Sequence, residues 1–268
     1  MCMLCLVPPN VIPSREKLEN SALNNPHGFG FAIVIPSENR IHAERTMNPD
    51  TSINRFIEMR TKYLDGYAMW HARIATHGTM TVDNCHPFKV GGDERTYLAH
   101  NGILPIMEPT GDTRSDSRIF AEDLLPAIGG VSALDNVQVM NLIEDFTSGS
   151  KVAILTVDTR AQYQAYLIHE NKGTKDSTGT WWSNDSCHLP ITRNWYSAKP
   201  IDFGVNDTGD YCMVCDSAVE MGESDDLDYC GVCSSCYSCY CRKGDCLCYQ
   251  RARNTVKPYP TEGGAWTW

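Results

Sequence analysis

Cys2 brings a thiol to the second position of the chain. If Met1 is removed, the same residue also carries a free α-amine, so nucleophile and base sit together. An α-amine titrates at about 7.7–8.0, and enough is neutral near pH 7 to accept the thiol proton, directly or through one water. The thiolate is the attacking form. Four further segments suit a site that hydrolyses an amide of an amino acid: HARIATHG (residues 71–78), NCHPF (84–88), HNGI (100–103) and SDS (115–117). Arg73 offers a planar fork that can grip a carboxylate through two parallel hydrogen bonds. Asp116, in the first turn of a predicted helix, suits an α-ammonium, and the two together recognise a zwitterion. Asn101 and Gly102 supply a side-chain amide and a backbone N–H for an oxyanion, with glycine letting the chain come close. Each piece alone has a plainer meaning. An arginine is more often a structural ion pair, Asn-Gly a turn, Ser-Asp-Ser a helix cap, and His71, His77, His86 and His100 core histidines.

The elements that must position these residues read as mixed α and β. The start, MCMLCLVPPN, reads as an edge or core strand and not as an export signal. Residues 28–35 form a glycine-studded strand, and residues 41–45 pair with it. Residues 52–64 are a predicted helix, with Ile53, Phe56 and Ile57 on one face. Short strands follow at 67–75 and 96–100. Ser115 is the expected N-cap of a helix to Leu125, limited by Pro126. Val139, Leu142, Ile143 and Phe146 mark a second helix. Residues 151–158 and 163–169 read as a hairpin, and a last strand lies around Trp181 and Trp182. Strands, two helices, then strands again do not make a doubly wound sheet; sheets with helices packed on them fit better. The glycines at 28–30 do not open a helix, which excludes a dinucleotide fingerprint.

In this order, Met1-Cys2, His27-Gly28-Phe29-Gly30, the four segments above and Ser183-Asn184 resemble a class II glutamine amidotransferase domain, a type of N-terminal nucleophile hydrolase. The resemblance spans residues 2–190. It implies an α+β fold, an αββα sandwich of two antiparallel sheets, and hydrolysis of L-glutamine to glutamate and ammonia without a cofactor. It makes Cys2 the nucleophile with its α-amine as base, and Asn101 and Gly102 the oxyanion hole. Arg73 and Asp116 hold the glutamine carboxylate and ammonium, Thr76 and His77 lie beside the glutamine pocket, and His77, His86 and His100 are architectural. Met3 stands where synthase members carry Gly, and His27 where many carry Asp. Both departures resemble the branch of stand-alone predicted amidotransferases. The rest of the chain is too short for a second enzyme domain, so the resemblance implies a separate acceptor enzyme, such as an amide ligase or synthetase subunit, that takes the ammonia. Two other readings stand beside it: a non-catalytic amidotransferase-like scaffold, and a hydrolase of another γ-glutamyl amide.

The chain has 268 residues, 42% of them hydrophobic, with a net charge of −10. That balance argues against a nucleic-acid or membrane-surface partner, and no apolar run reaches the ~20 residues of a membrane span. A cytoplasmic protein is expected. Nine of the 13 cysteines fall within the last quarter: Cys212, Cys215, Cys230, Cys233, Cys236, Cys239, Cys241, Cys246 and Cys248. Two Cys-x2-Cys pairs, fourteen residues apart, have the spacing of zinc knuckles. The other five could form a second site. An iron–sulfur cluster is the rival, and disulfides would need an oxidising compartment. The expected organisation is an amidotransferase-like domain at 2–200, a Cys-rich, zinc-binding module at 201–255 that docks a partner, and a tail at 256–268.

Overall fold

In the computed structural model, residues 2–107 and 109–188 are described. They build two antiparallel sheets. The first has the order β3-β2-β4-β1-β10-β9, the second β5-β6-β7-β8. In the first sheet the strands are β1 (Met3–Val7), β2 (Phe29–Ile35), β3 (Arg40–Thr46), β4 (Ala68–Ala72), β9 (Thr174–Lys175) and β10 (Trp181–Trp182). In the second they are β5 (Phe88–Val90), β6 (Asp93–Asn101), β7 (Lys151–Thr156) and β8 (Ala165–Ile168). β1 lies inside its sheet, between β4 and β10. Both its faces are covered, which is why MLCLV is apolar at every position instead of alternating.

Three clusters of buried side chains define four layers. Leu18 and Ala22 of α1 (Arg15–Asn24) and Ile53 and Phe56 of α2 (Pro49–Lys62) pack on Met3, Phe31, Trp70 and Trp182 at the outer face of the first sheet. Leu4, Leu6, Ala32, Met69 and Trp181 from its inner face meet Tyr97, Ala99, Ala153 and Leu155 of the second sheet. Phe120, Leu125 and Ile143 cover the far face of the second sheet over Leu98, Val152 and Ile154. The result is an αββα sandwich. No helix among the described residues is long and apolar enough to cross a membrane.

The expected strands and the helices at 52–64 and 139–146 have observed counterparts within a few residues, the latter as α5 (Val137–Phe146). Ser115 caps α3 (Asp116–Ile119), accepting from the Arg118 N–H. Pro126 does not end this helix as expected. Helical residues continue through a π turn (Phe120–Leu124) into α4 (Leu125–Ala127). Proline clashes with the carbonyl four residues back in a regular α-helix. Here the Leu125 N–H reaches back five residues to Phe120, and the wider turn relieves that crowding. α1 has no counterpart in the sequence reading, because only Leu18, Ser21 and Ala22 on it are buried.

One buried cation ties the loops under the first sheet together. Arg60, on α2, donates to the carbonyls of Pro8 (2.6 Å), Val11 (2.8 Å), Tyr63 (3.0 Å) and Gly66 (2.7 Å). Arg60→Ala is expected to destabilise the fold by roughly 3–5 kcal/mol, because it strands four carbonyls, one buried and three partly buried. A lowered urea midpoint would show this; an unchanged midpoint would refute it.

Candidate active site

Strand register brings Cys2 to the centre of the site. Met3 pairs with Ala72, so the chain just before β1 lies against the chain just after β4. The Cys2 thiol accepts the Ile74 N–H at 3.2 Å and points its own proton at the Ile74 carbonyl, 3.4 Å away. Burial pushes this thiol up, and only in part do the Ile74 hydrogen bond and the Arg73 charge pull it back. The resting group is therefore a thiol, and it needs a base to attack. Its main-chain carbonyl is held by Asn184 Nδ2 at 2.8 Å.

Arg73 leaves the end of β4 and is 2% exposed. Its guanidinium donates to the carbonyls of His77 (2.7 Å) and Thr79 (3.0 Å), folding residues 74–79 around it. Burial lowers its affinity for the proton, and the charges of Cys85, Cys2 and Asp116 oppose that. Asn84 fixes the same segment from outside. Its Nδ2 donates to the Thr79 and Thr113 carbonyls and its Oδ1 accepts the Ser115 N–H. That ties the segment to the cap of α3, where Asp116 sits, 4% exposed. Asp116 accepts the Leu104 N–H at 2.8 Å and both the N–H and hydroxyl of Ser117. Because the Ser117 hydroxyl donates to that carboxylate, the neighbouring His100 Nδ1, at 2.7 Å, donates to Ser117. The His100 tautomer is thus set by Asp116 through Ser117. Neither Arg73 nor Asp116 makes a salt bridge among the described residues.

Cys2, Arg73, Ile74, Thr76, His77, Gly102 and Asp116 line one cavity. The fold thus gathers six of the seven residues expected to catalyse or bind. The free space in this cavity is about 10 Å³, room for about one water. Gly102 has φ +152° and packs so closely that a Cβ would run into the Ser150 side chain. Asn101 is placed differently. It ends β6, 1% exposed, and its Nδ2 donates to Ser183 Oγ at 2.7 Å; it is not in the cavity wall.

No protein-family model matches the chain, and no curated protein does. Among solved structures it is similar to the glutamine phosphoribosylpyrophosphate (PRPP) amidotransferase from B. subtilis, at 16% identity and a TM-score of 0.45. That match covers 70% of this chain and 42% of the other. It is also similar to a glutamine aminotransferase class-II domain protein from Silicibacter pomeroyi, at 15% identity and a TM-score of 0.32, over 68% of this chain and 87% of the other. The chain thus spans less than half the length of the first of these.

The sequence reading assigned no role to several residues around the cavity. Ile74 holds the thiol, Ser117 orients Asp116, and His27 Nδ1 accepts the Ala75 N–H at 2.9 Å. All lie inside the quoted motifs, but their partners are visible only once the chain is folded. Among the described residues no group of three His, Cys, Asp or Glu side chains could hold a metal ion. The nine cysteines from Cys212 to Cys248, and the module and tail boundaries, lie outside the described residues.

His86 and His100 also line the cavity, and the His86 ring meets that of His71 at a tilt of 35°, with centroids 4.0 Å apart. Burial holds His71 down to about 3, His100 down to about 4 and His86 well below its ordinary value. In the unfolded chain these imidazoles take up protons below about pH 6.5, whereas in the fold they stay neutral to far lower pH. Their contribution to stability is present above pH 6.5 and is lost as pH falls below it. Each histidine steepens that loss by up to about 1.4 kcal/mol per pH unit. Urea unfolding between pH 7 and about pH 4 is expected to show a slope of two to three protons. A flat profile would refute this.

Proposed function

We propose that this chain is a glutamine-hydrolysing amidotransferase subunit acting through Cys2. The observation that carries the reading is the pairing of Arg73 with Asp116. A buried guanidinium and a buried carboxylate, with no salt-bridge partner among the described residues, line one cavity with a thiol. Burying charges without a direct ion pair is costly. A ligand with a carboxylate and an ammonium, which is what a free amino acid carries, would balance both. The thiol at the same cavity then faces that ligand's side chain.

In this reading the α-amine of Cys2, freed by loss of Met1, takes the thiol proton. The sulfur bonds to the carboxamide carbon, and the electron pair moves to oxygen. Asn101 and Gly102 donate to that oxyanion. Collapse expels ammonia, protonated by the group that took the thiol proton, and leaves a thioester. Water then cleaves the thioester, giving glutamate and the free thiol. Thr76 and His77 would border the glutamine side chain. The ammonia would pass to a separate acceptor enzyme. The test is the trimmed chain with L-glutamine, which is expected to release glutamate and ammonia in equal amounts. No release, together with no glutamine binding by calorimetry, would sink the reading.

The nine cysteines from Cys212 to Cys248 are proposed as zinc ligands on the strength of their donor chemistry and spacing. Metal analysis of the full chain is expected to find zinc, and to find less when Cys212 and Cys230 are replaced with serine. Iron in its place would identify the rival cluster.

A further inference from the structure

We propose that Ser183 is a positioning residue that decides which end of the Asn101 amide is offered to the reacting centre. This rests on the reading of Asn101 as an oxyanion donor. β10 delivers Ser183 to its place. Cys5 pairs with Trp182, and the next residue, Ser183, donates its N–H to the Leu4 carbonyl at 2.9 Å. Its Oγ accepts the Leu4 N–H at 2.9 Å and Asn101 Nδ2 at 2.7 Å. Leu4 belongs to the first sheet and Asn101 to the second, so this hydroxyl bridges the sandwich. The following residue, Asn184, holds the Cys2 carbonyl. Two adjacent side chains thus fix the nucleophile's main chain and the amide expected to meet the oxyanion.

In the arrangement observed, Ser183 Oγ takes two N–H bonds. Among the described residues its own proton finds only Met3 Sδ, 3.7 Å away, a weak acceptor. Asn101 Oδ1 is buried with no hydrogen-bond partner among the described residues. A carboxamide has nearly the same shape turned over. Turned over, Asn101 Oδ1 accepts the Ser183 O–H, a stronger bond than O–H to thioether, and Nδ2 brings its two N–H groups to the place where Oδ1 has no donor among the described residues. An oxyanion arriving there would take one of them. Ser183 can accept in the first arrangement and donate in the second, so its hydroxyl lets one buried site hold the amide either way. Without that proton, the donor-presenting arrangement has nothing to hold Oδ1.

The test compares the full chain with Ser183→Ala, Ser183→Cys and Asn101→Ala in steady-state glutamine hydrolysis. Ser183→Ala is expected to lower kcat by roughly 10–100-fold, with KM within about twofold of wild type. Ser183→Cys, which keeps a weaker donor and a similar shape, falls between and carries the test if the alanine variant does not fold. Affinity for glutamate γ-semialdehyde, whose thiol adduct carries the oxyanion, is expected to fall in step with kcat/KM. Affinity for glutamate stays at the wild-type value. Wild-type kcat in both Ser183 variants, with Asn101→Ala impaired, would overturn this inference and leave the functional reading standing. So would a fall in melting temperature and a raised KM at unchanged kcat. A trimmed wild-type chain that does not hydrolyse glutamine would overturn both.

Discussion

Replacing Cys2 with alanine is expected to abolish glutamine hydrolysis while leaving the fold in place. The thiol is the only group proposed to form a covalent bond to the substrate. Removing a nucleophile of this kind typically costs roughly 10⁴–10⁶-fold in kcat. The fold should survive, because among the described residues the sulfur's bonds go only to the main chain of Ile74. The smaller side chain leaves the β1–β4 pairing from Met3 to Val7 untouched. The same account fixes a pH dependence. Burial keeps the thiol protonated, so the rate depends on a neutral base, and an α-amine loses its proton at about pH 7.7–8.0. With wild-type protein, kcat/KM should therefore climb as pH rises towards 8. Hydrolysis retained by a folded Cys2→Ala chain, measured as glutamate release, would remove the thiol from the mechanism.

Asp116→Ala is expected to act on binding. Truncating one member of a buried, charge-paired contact typically costs about 2–5 kcal/mol, here a rise in KM for L-glutamine of roughly 30-fold or more. Loss of affinity shared by substrate and transition state raises KM and leaves kcat less affected. Asp116 also accepts three protein hydrogen bonds, from Leu104 and Ser117. Some stability is lost with it, and Asp116→Asn, which keeps an acceptor, separates the two effects. The asparagine variant should retain most of its thermal stability yet still bind glutamine poorly. A KM unchanged in both variants would mean that the carboxylate serves only to hold Leu104 and to orient His100 through Ser117.

The sequence made some of this legible and hid the rest for physical reasons. Strands show because β1 and β2 are buried over their whole length and their apolar runs are unbroken. The αββα layering came from resemblance; periodicity gave only sheets with helices on them. α1 was invisible because its buried face is limited to Leu18, Ser21 and Ala22, too sparse for a helical period. β9 has two residues and β5 three, too short for any pattern. Within the site, Cys2, Arg73, Thr76, His77, Gly102 and Asp116 could be named from motifs, and the cavity gathers them. Their supports could not be named, since support depends on register. Ser183 meets Leu4 across 179 positions and Asn101 across 82, and nothing local announces that a serine after two tryptophans will bridge the sheets. The engagement of Asn101 with Ser183 was likewise beyond a reading that could place its amide only by analogy.

The most direct measurement is intact-mass spectrometry of the purified chain after incubation with 6-diazo-5-oxo-norleucine, followed by peptide mapping. This reagent has the carboxylate and ammonium of glutamine and alkylates a thiol with loss of dinitrogen. The account predicts a chain lacking Met1 with one adduct, on Cys2, and protection by excess L-glutamine. A chain that keeps Met1, or a trimmed chain labelled only at cysteines outside the cavity, would contradict it and favour a scaffold that keeps the fold without the chemistry.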